Sequence, residues 1–375
     1  MSIGAGFSSK AAWKKEDKQS DYGEVIEVGA DNQIPMITEN LNREIERELD
    51  NAVRYKAGHG LSSVLKKGVT GNLSLECVYK GLEHIFASAL GFCNYSESPE
   101  TVAAGVYKHT FELAENLHTQ SWAAGDGILA GSGYLAGDKK ARRGTLCVDK
   151  SVSIWEYASC MIQTLSIKGN SKAVTLDLEL LPYDLDRSSA VNTSSASWSV
   201  PDDDWESVLF QDMELWIDDS STSTALTSAD AVGISEFEIK LENRLKVYQD
   251  SQSGLYIAEP MREEKRMVTG SFTMPRYESD DFLDKLDAGS YMMAMMRFTG
   301  SEIGATGHYN MLWVWLPSLL FDKVDAPLQN AGLVSVTHEF TGYIPLLSAP
   351  AGFPTQATKE LLVQLQNDYD VNPLI

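Results

Sequence analysis

Hydrophobic and polar positions alternate along much of this chain, and one alternating block occurs twice. Val69-Thr70-Gly71-Asn72-Leu73-Ser74-Leu75 returns as Val268-Thr269-Gly270-Ser271-Phe272-Thr273-Met274. Leu73, Leu75 and Cys77 share one face of the first block, Phe272 and Met274 one face of the second, the period of a half-buried strand. Each block leads into a segment of helical period. Leu82, Ile85, Phe86, Ala89 and Leu90 form an apolar stripe, and Gly91 supplies the left-handed stop. In the second half Ser279 is the expected N-cap, Asp280 and Asp281 suit the positive helix end, Phe282, Leu283 and Leu286 form the stripe, and Gly289 ends it. A further strand is expected after each helix, at Val106–Leu113 and Tyr309–Leu316. Each half closes on a clear alternation. Val174, Leu176, Leu178 and Leu180 oppose Thr175, Asp177 and Glu179; Val334, Val336, His338 and Phe340 oppose Ser335, Thr337 and Glu339.

The stretches before the two blocks also match in character. Asn40-Leu41-Asn42-Arg43 opens a charged run to Lys67, and Leu241-Glu242-Asn243-Arg244 opens one to Arg266. Both read as hairpin arms, with Arg43, Arg47, Arg54, Lys66, Lys67, Arg244, Arg262 and Arg266 as their positive charges. Gly71 to Val174 exceeds Gly270 to Val334 by about 39 residues, an excess placed in a glycine-rich surface insertion at about 115–150 that contains the basic run Lys139–Arg143. The expected organisation is an N-terminal arm (1–22), a first β-rich domain (23–186), a serine-rich linker (187–204), a second domain (205–346) and a C-terminal tail (347–375) that includes an amphipathic segment at Lys359–Leu365. Two β-rich units with one flanking helix each give a mainly β or α+β fold.

Composition narrows the chemistry. Acidic residues number 53 against 31 basic, a net charge of −22, which repels phosphate backbones and argues against nucleic-acid binding while suiting a surface that DNA slides past. The four cysteines are scattered without a C-x-x-C, so neither a disulfide framework nor a zinc site is expected, and folding in reducing cytoplasm is. Met1–Asp21 lacks the apolar core of a signal peptide, and no apolar run is long enough to span a bilayer. The six histidines have no metal-ligand spacing, and His84 and His338 read as hydrogen-bonded structural residues. Asp202-Asp203-Asp204 lacks EF-hand spacing, and no nucleophile elbow or Walker loop occurs. Trp313, Trp315 and Phe321 read as core or subunit interface. No cofactor, metal or catalytic residue is expected.

The paired V-T-G strands, the helices that follow them, the charged arms and the closing alternations resemble phage tail tube proteins, also called major tail proteins, over most of Ile34–Leu181 and Trp205–Pro345. The resemblance implies a β-sandwich tube domain flanked by a helix, with inner sheets of neighbouring subunits joining into a barrel around a lumen and rings stacking into a tube. This chain departs from the common single-unit pattern by carrying two units. A pseudo-sixfold ring of three copies is therefore expected, its halves made unequal by the insertion. The implied role is a non-enzymatic virion component, assembled in the host cytoplasm, whose partners are itself and other tail proteins such as tape measure, terminator and distal tail proteins. DNA transits the lumen without specific binding. On this reading the arms are ring-stacking elements or simply solvated hairpins. Asp177, Glu179 and Glu339 face either the lumen or solvent and a neighbour. Two alternatives stay open: the tube of a phage-derived injection device, such as a tailocin or type VI-like system, and a tail-associated carbohydrate-binding or hydrolase β-sandwich.

Overall fold

The computed structural model describes residues 9–16, 22–48, 63–93, 100–113, 143–188, 190–200, 205–221, 225–249, 251, 254–277, 279–326, 334–345 and 349–370. The first half runs β1 (Ala11–Lys15), β2 (Gln33–Ile34), β3 (Met36–Glu39), β4 (Asn42–Glu48), β5 (Ser63–Glu76), α1 (Glu83–Leu90), β6 (Gly91–Cys93), β7 (Glu100–Ala103), β8 (Val106–Leu113), β9 (Gly144–Asp149), β10 (Ile154–Gly169), β11 (Thr175–Leu181) and β12 (Asp184–Asp186). The second runs β13 (Met213–Asp219), β14 (Glu236–Glu242), β15 (Leu245–Lys246), β16 (Met261–Arg262), β17 (Met267–Met274), α2 (Asp281–Ala288), β18 (Met292–Glu302), β19 (Tyr309–Asp325), β20 (Val336–Gly342) and β21 (Leu362–Asn367). The fold is mainly β, as the alternation predicts.

Among the described residues every strand pairing is antiparallel, and one long sheet crosses both halves in the order β3, β5, β11, β10, β14, β17, β20, β19. Two strands are long enough to serve two sheets. The first part of β10 pairs with β9, which continues to β1 and β2. The first part of β19 pairs with β18, which continues to β13, on one side and with β21, which continues to β8, on the other. The sheets wrap one core into a barrel-like shell. Leu75, Leu176, Ile167, Ile239, Gly270, Phe340 and Phe321 stand side by side across the long sheet on its core face. A single hydrophobic cluster runs from Leu73 and Phe86 through Phe272 to Leu365.

The V-T-G strands hold equivalent places. Gly71 lies opposite Leu180 on β11, and Gly270 opposite Phe340 on β20. Ile162 and Phe321 come next, and a β-bulge follows each of them, at Gln163 and at Asp322. A Cβ on Gly71 would lie 2.7 Å from the Asn40 carbonyl oxygen, and one on Gly270 would lie 2.8 Å from that of Glu238. Both glycines therefore admit a close neighbouring strand that a side chain would push away.

Several expectations change. The counterpart of β19 is β10, not Val106–Leu113: β8 pairs with the C-terminal β21 and so joins the sheet of the other half. The excess of the first half thus lies between Gly91 and Gly144, where the second half passes from Gly289 to Met292; residues 94–99 and 114–142 of it fall outside the described set. The C-terminal segment is no free tail, since all of β21 is buried between β8 and β19. The expected linker is packed from 190 to 200. Trp198 is buried, and the Asn192 carboxamide accepts from Val28 N–H at 2.8 Å. Asp280, rather than Ser279, takes the N-cap place of α2. Gly91 and Gly289 end their helices in the left-handed region, at φ 94° and 60°.

Candidate channel face and assembly edges

The face of the long sheet away from the core is polar from edge to edge. Ser74, Asp177, Ser166, Lys240, Thr269 and Thr341 form one row across the strands. Glu76, Thr175, Lys168, Glu238, Ser271, Glu339 and Lys323 form the next. The alternation of each strand puts its polar residues here once the apolar set is committed to the core. Asp177, Glu179 and Glu339, on β11 and β20, all stand on this face.

Its lysines are held by carboxylates. Lys168 lies 3.0 Å from Asp177 and 3.4 Å from Glu238. Lys240 lies 2.6 Å from Glu242, and Lys323 lies 3.2 Å from Asp325 and 3.7 Å from Glu339. Burial pushes the Asp177 carboxyl up, but hydrogen bonds from Ser74 and Lys168 more than offset it and hold it below the usual carboxylate range. The hydrogen bond from Lys240 lowers Glu242, while the hydrogen bond to Asp325 raises Lys323. Glu179 accepts from Thr164 at 2.9 Å. The face is a mesh of short ion pairs with carboxylate in excess, and it bears a shallow concavity of about 560 Å³ bordered by Lys168, Lys240 and Glu339.

The two arms leave the sheet on the same side. In the first, β4 and β5 pair from Asn42–Thr70 outward to Glu48–Ser63, so the described parts of the charged run are antiparallel sides of an arm. Arg47 is exposed on it, and Arg54 lies outside the described residues. In the second, β15 and β16 form a short two-stranded ribbon. The arms touch: Lys67 N–H donates to Leu255 O at 2.7 Å, and the Lys67 ammonium stands 5.4 Å from the centre of the Tyr256 ring. A groove of about 370 Å³ between them is bordered by Ile45, Lys66, Leu181, Val247 and Ile257. Arg244 pairs with Glu264 at 2.7 Å near solvent.

Three expected assembly charges face inward. Arg266 is nearly buried in an ion pair with Glu360 at 2.8 Å, which ties β17 to the segment before β21. Arg43 pairs with Asp184 at 2.6 Å, and Arg262 Nε donates to Asn243 O at 3.2 Å. From the basic run, Arg143 is fully buried between Glu16 and Glu259 (2.7 Å), over the Tyr22 ring; residues 139–142 lie outside the described set. Burial raises the Tyr22 hydroxyl well above its ordinary value. Sequence alone gives the charge of such residues but not the acid, distant in the chain, that claims it. Trp315 and Phe321 are buried as expected, and Trp315 Nε1 donates to Gln364 at 3.0 Å. His338 departs from expectation: it is buried among Phe272, Phe282 and Phe321, and neither ring nitrogen is hydrogen bonded among the described residues.

No curated protein matches the chain. The family model described as phage tail tube protein matches it over residues 6–342, nearly the whole of the two-unit sheet and both arms. The chain therefore belongs to the phage tail tube protein family, a structural component of the virion tail.

Proposed function

We propose that this protein assembles into stacked rings that form the tail tube through which phage DNA passes, acting as a scaffold without catalysis. The observation that carries the reading is the continuous long sheet, which has one apolar face, one charged face and, among the described residues, an edge without a paired strand at each end. Exposed strand edges drive association unless blunted, and a sheet already spanning two equivalent units needs three chains to make six units around an axis. Head-to-tail contacts of this kind close into a ring where the rotation permits. We place the polar face, with Asp177, Glu179 and Glu339, on the lumen. Its lysines are engaged by neighbouring carboxylates, so it offers passing phosphates little to bind and a net repulsion. The arms, with Arg47, Lys66, Lys67 and Arg244 toward solvent, serve ring-to-ring contact. Other tail proteins meet the ends of the stack.

Electron microscopy of the purified protein tests this. Rings or tubes of uniform bore, with threefold modulation in end-on views, are the expected result. A protein that stays monomeric by light scattering at high concentration overturns it.

A further inference from the structure

We infer that the distal part of β19 pairs with the Leu41–Glu44 segment of a second copy, in the register that joins β10 to β14 within one chain. The inference rests on the ring-forming reading above and names the edges and residue pairs that make the joint.

The chain carries its own template. Beyond the bulge at Gln163, β10 is paired on one side with β11 and on the other with β14. Beyond the matching bulge at Asp322, β19 is paired with β20 on the side that corresponds to β11. Its other side is paired with β18 only as far as Leu319, and no described strand follows. At the far end of the sheet, the segment equivalent to β14 is Glu39–Glu44. Leu41 falls opposite Gly71 by the β3 and β4 registers, as Ile239 falls opposite Gly270. Its outer side likewise has no paired strand among the described residues: Asn42 and Glu44 are exposed, while the Leu41 N–H is held by the Glu39 carboxylate at 2.7 Å, a bond it exchanges on pairing.

Transferring the register fixes the contacts. Thr164 stands opposite Glu242 and Ser166 opposite Lys240, so Lys323 falls opposite Glu44 and Asp325 opposite Asn42 of the next copy. Opposite-charge and hydrogen-bonding pairs suit directly facing positions, and Lys323 is still about half exposed after its contacts with Asp325 and Glu339. The Gln163 carbonyl accepts from Asn243 N–H at 2.8 Å, and the Asp322 carbonyl takes the Ile45 N–H in the same way. On the core side, Ile167 opposite Ile239 becomes Ala326 opposite Leu41. Arg43, which replaces Leu241 in this scheme, turns its charge to Asp184. A ring built this way alternates joints tethered by the chain with open joints, and it comes apart into whole chains at the open ones.

The test is disulfide trapping in the full-length protein with Lys323→Cys plus Glu44→Cys. Cβ atoms of facing pairs lie within reach of a disulfide. Mild oxidation should give linked species of two and three chains that neither single variant gives. The register control is Lys323→Cys plus Asn42→Cys, two residues away on the same face. Faster linking in that control overturns the register. Rings in the microscope with no linking in either pair overturn the edge assignment while leaving the ring reading intact. A protein that never leaves the monomer overturns both. A charge swap checks the same contact without cysteines: Lys323→Glu should weaken assembly at least tenfold in concentration, and adding Glu44→Lys should restore it. Absence of rescue in folded protein counts against the pair.

Discussion

The two V-T-G units stand in one sheet with matching registers, yet their helices have opposite environments. In α1, Ile85, Phe86, Ala87, Ser88, Ala89 and Leu90 are all buried, because β1, β6, β8 and β10 pack around it. In α2 no residue is fully buried; Phe282 and Leu286 rest on the core beside β19, and Asp281, Asp284, Lys285 and Asp287 face outward. The difference comes from residues 91–143, which have no counterpart after Gly289. Their strands β6 and β8 cover α1, and β8 then reaches through β21 to the other half. The same unit thus serves once as the interior of the chain and once as its rim.

That contrast predicts unequal costs for like substitutions. Phe86→Ala removes a fully buried ring and should cost about 3–5 kcal/mol, whereas Leu286→Ala on the half-buried α2 should cost about 1 kcal/mol. Urea midpoints measure both. Equal shifts would break the picture of a sealed and an open unit. The arms give a second contrast. Arg266→Glu sets a carboxylate against nearly buried Glu360 and should cost about 3–5 kcal/mol. Arg244→Glu, near solvent, should stay within about 1 kcal/mol. Thermal melts of the two variants distinguish a structural clamp from a surface charge.

Much of this was legible in the sequence, and the rest was hidden for definite reasons. The strands at Gly71 and Gly270, the helix stripes, both closing strands and the polar face with Asp177, Glu179 and Glu339 follow from periods of 2 and 3.6. Those periods report on one residue's neighbours along the chain. They say nothing of partners far away, so the burial of Arg143 between Glu16 and Glu259 and of Arg266 against Glu360 could not be read. Nor could the place of β21, whose Leu362, Val363 and Leu365 make a short apolar segment readable as helix or strand. The N-L-N-R and L-E-N-R stretches mislead by three residues. By register, Arg43 corresponds to Leu241, because both lie opposite the valine of V-T-G.

The paired glycines test the equivalence itself. Gly71→Ala should press on Asn40 O and Leu41 Cα, and Gly270→Ala on Glu238 O and the Phe340 ring. Each contact should cost about 1–3 kcal/mol, since neither is with the loose end of a flexible side chain, and Gly71, at φ 150°, adds a backbone strain that Gly270 lacks. A clear loss at one position and none at the other, by chemical denaturation, would show that the two strands are not under the same constraint.

The last contrast is also the most local difference between the units. Leu178 stands opposite Leu73 beside Gly71, and His338 stands opposite Phe272 beside Gly270, so a histidine takes the place of a leucine. Burial among phenylalanines lowers the His338 imidazole to about 4 from its ordinary value near 6.5. In the unfolded chain the ring therefore binds a proton that the folded chain refuses between those values. The stability its neutral form permits is complete above about pH 6.5, falls as pH drops through that window, and levels off below about 4. His338→Leu copies the first unit and removes this one slope, so wild type and variant should diverge as pH falls from 6.5 to 4, by about 3 kcal/mol. Other groups titrate in both proteins and cancel in the difference. Parallel stability curves across that window would mean that water or a neighbour reaches the ring, and that this position is not the apolar site its counterpart is.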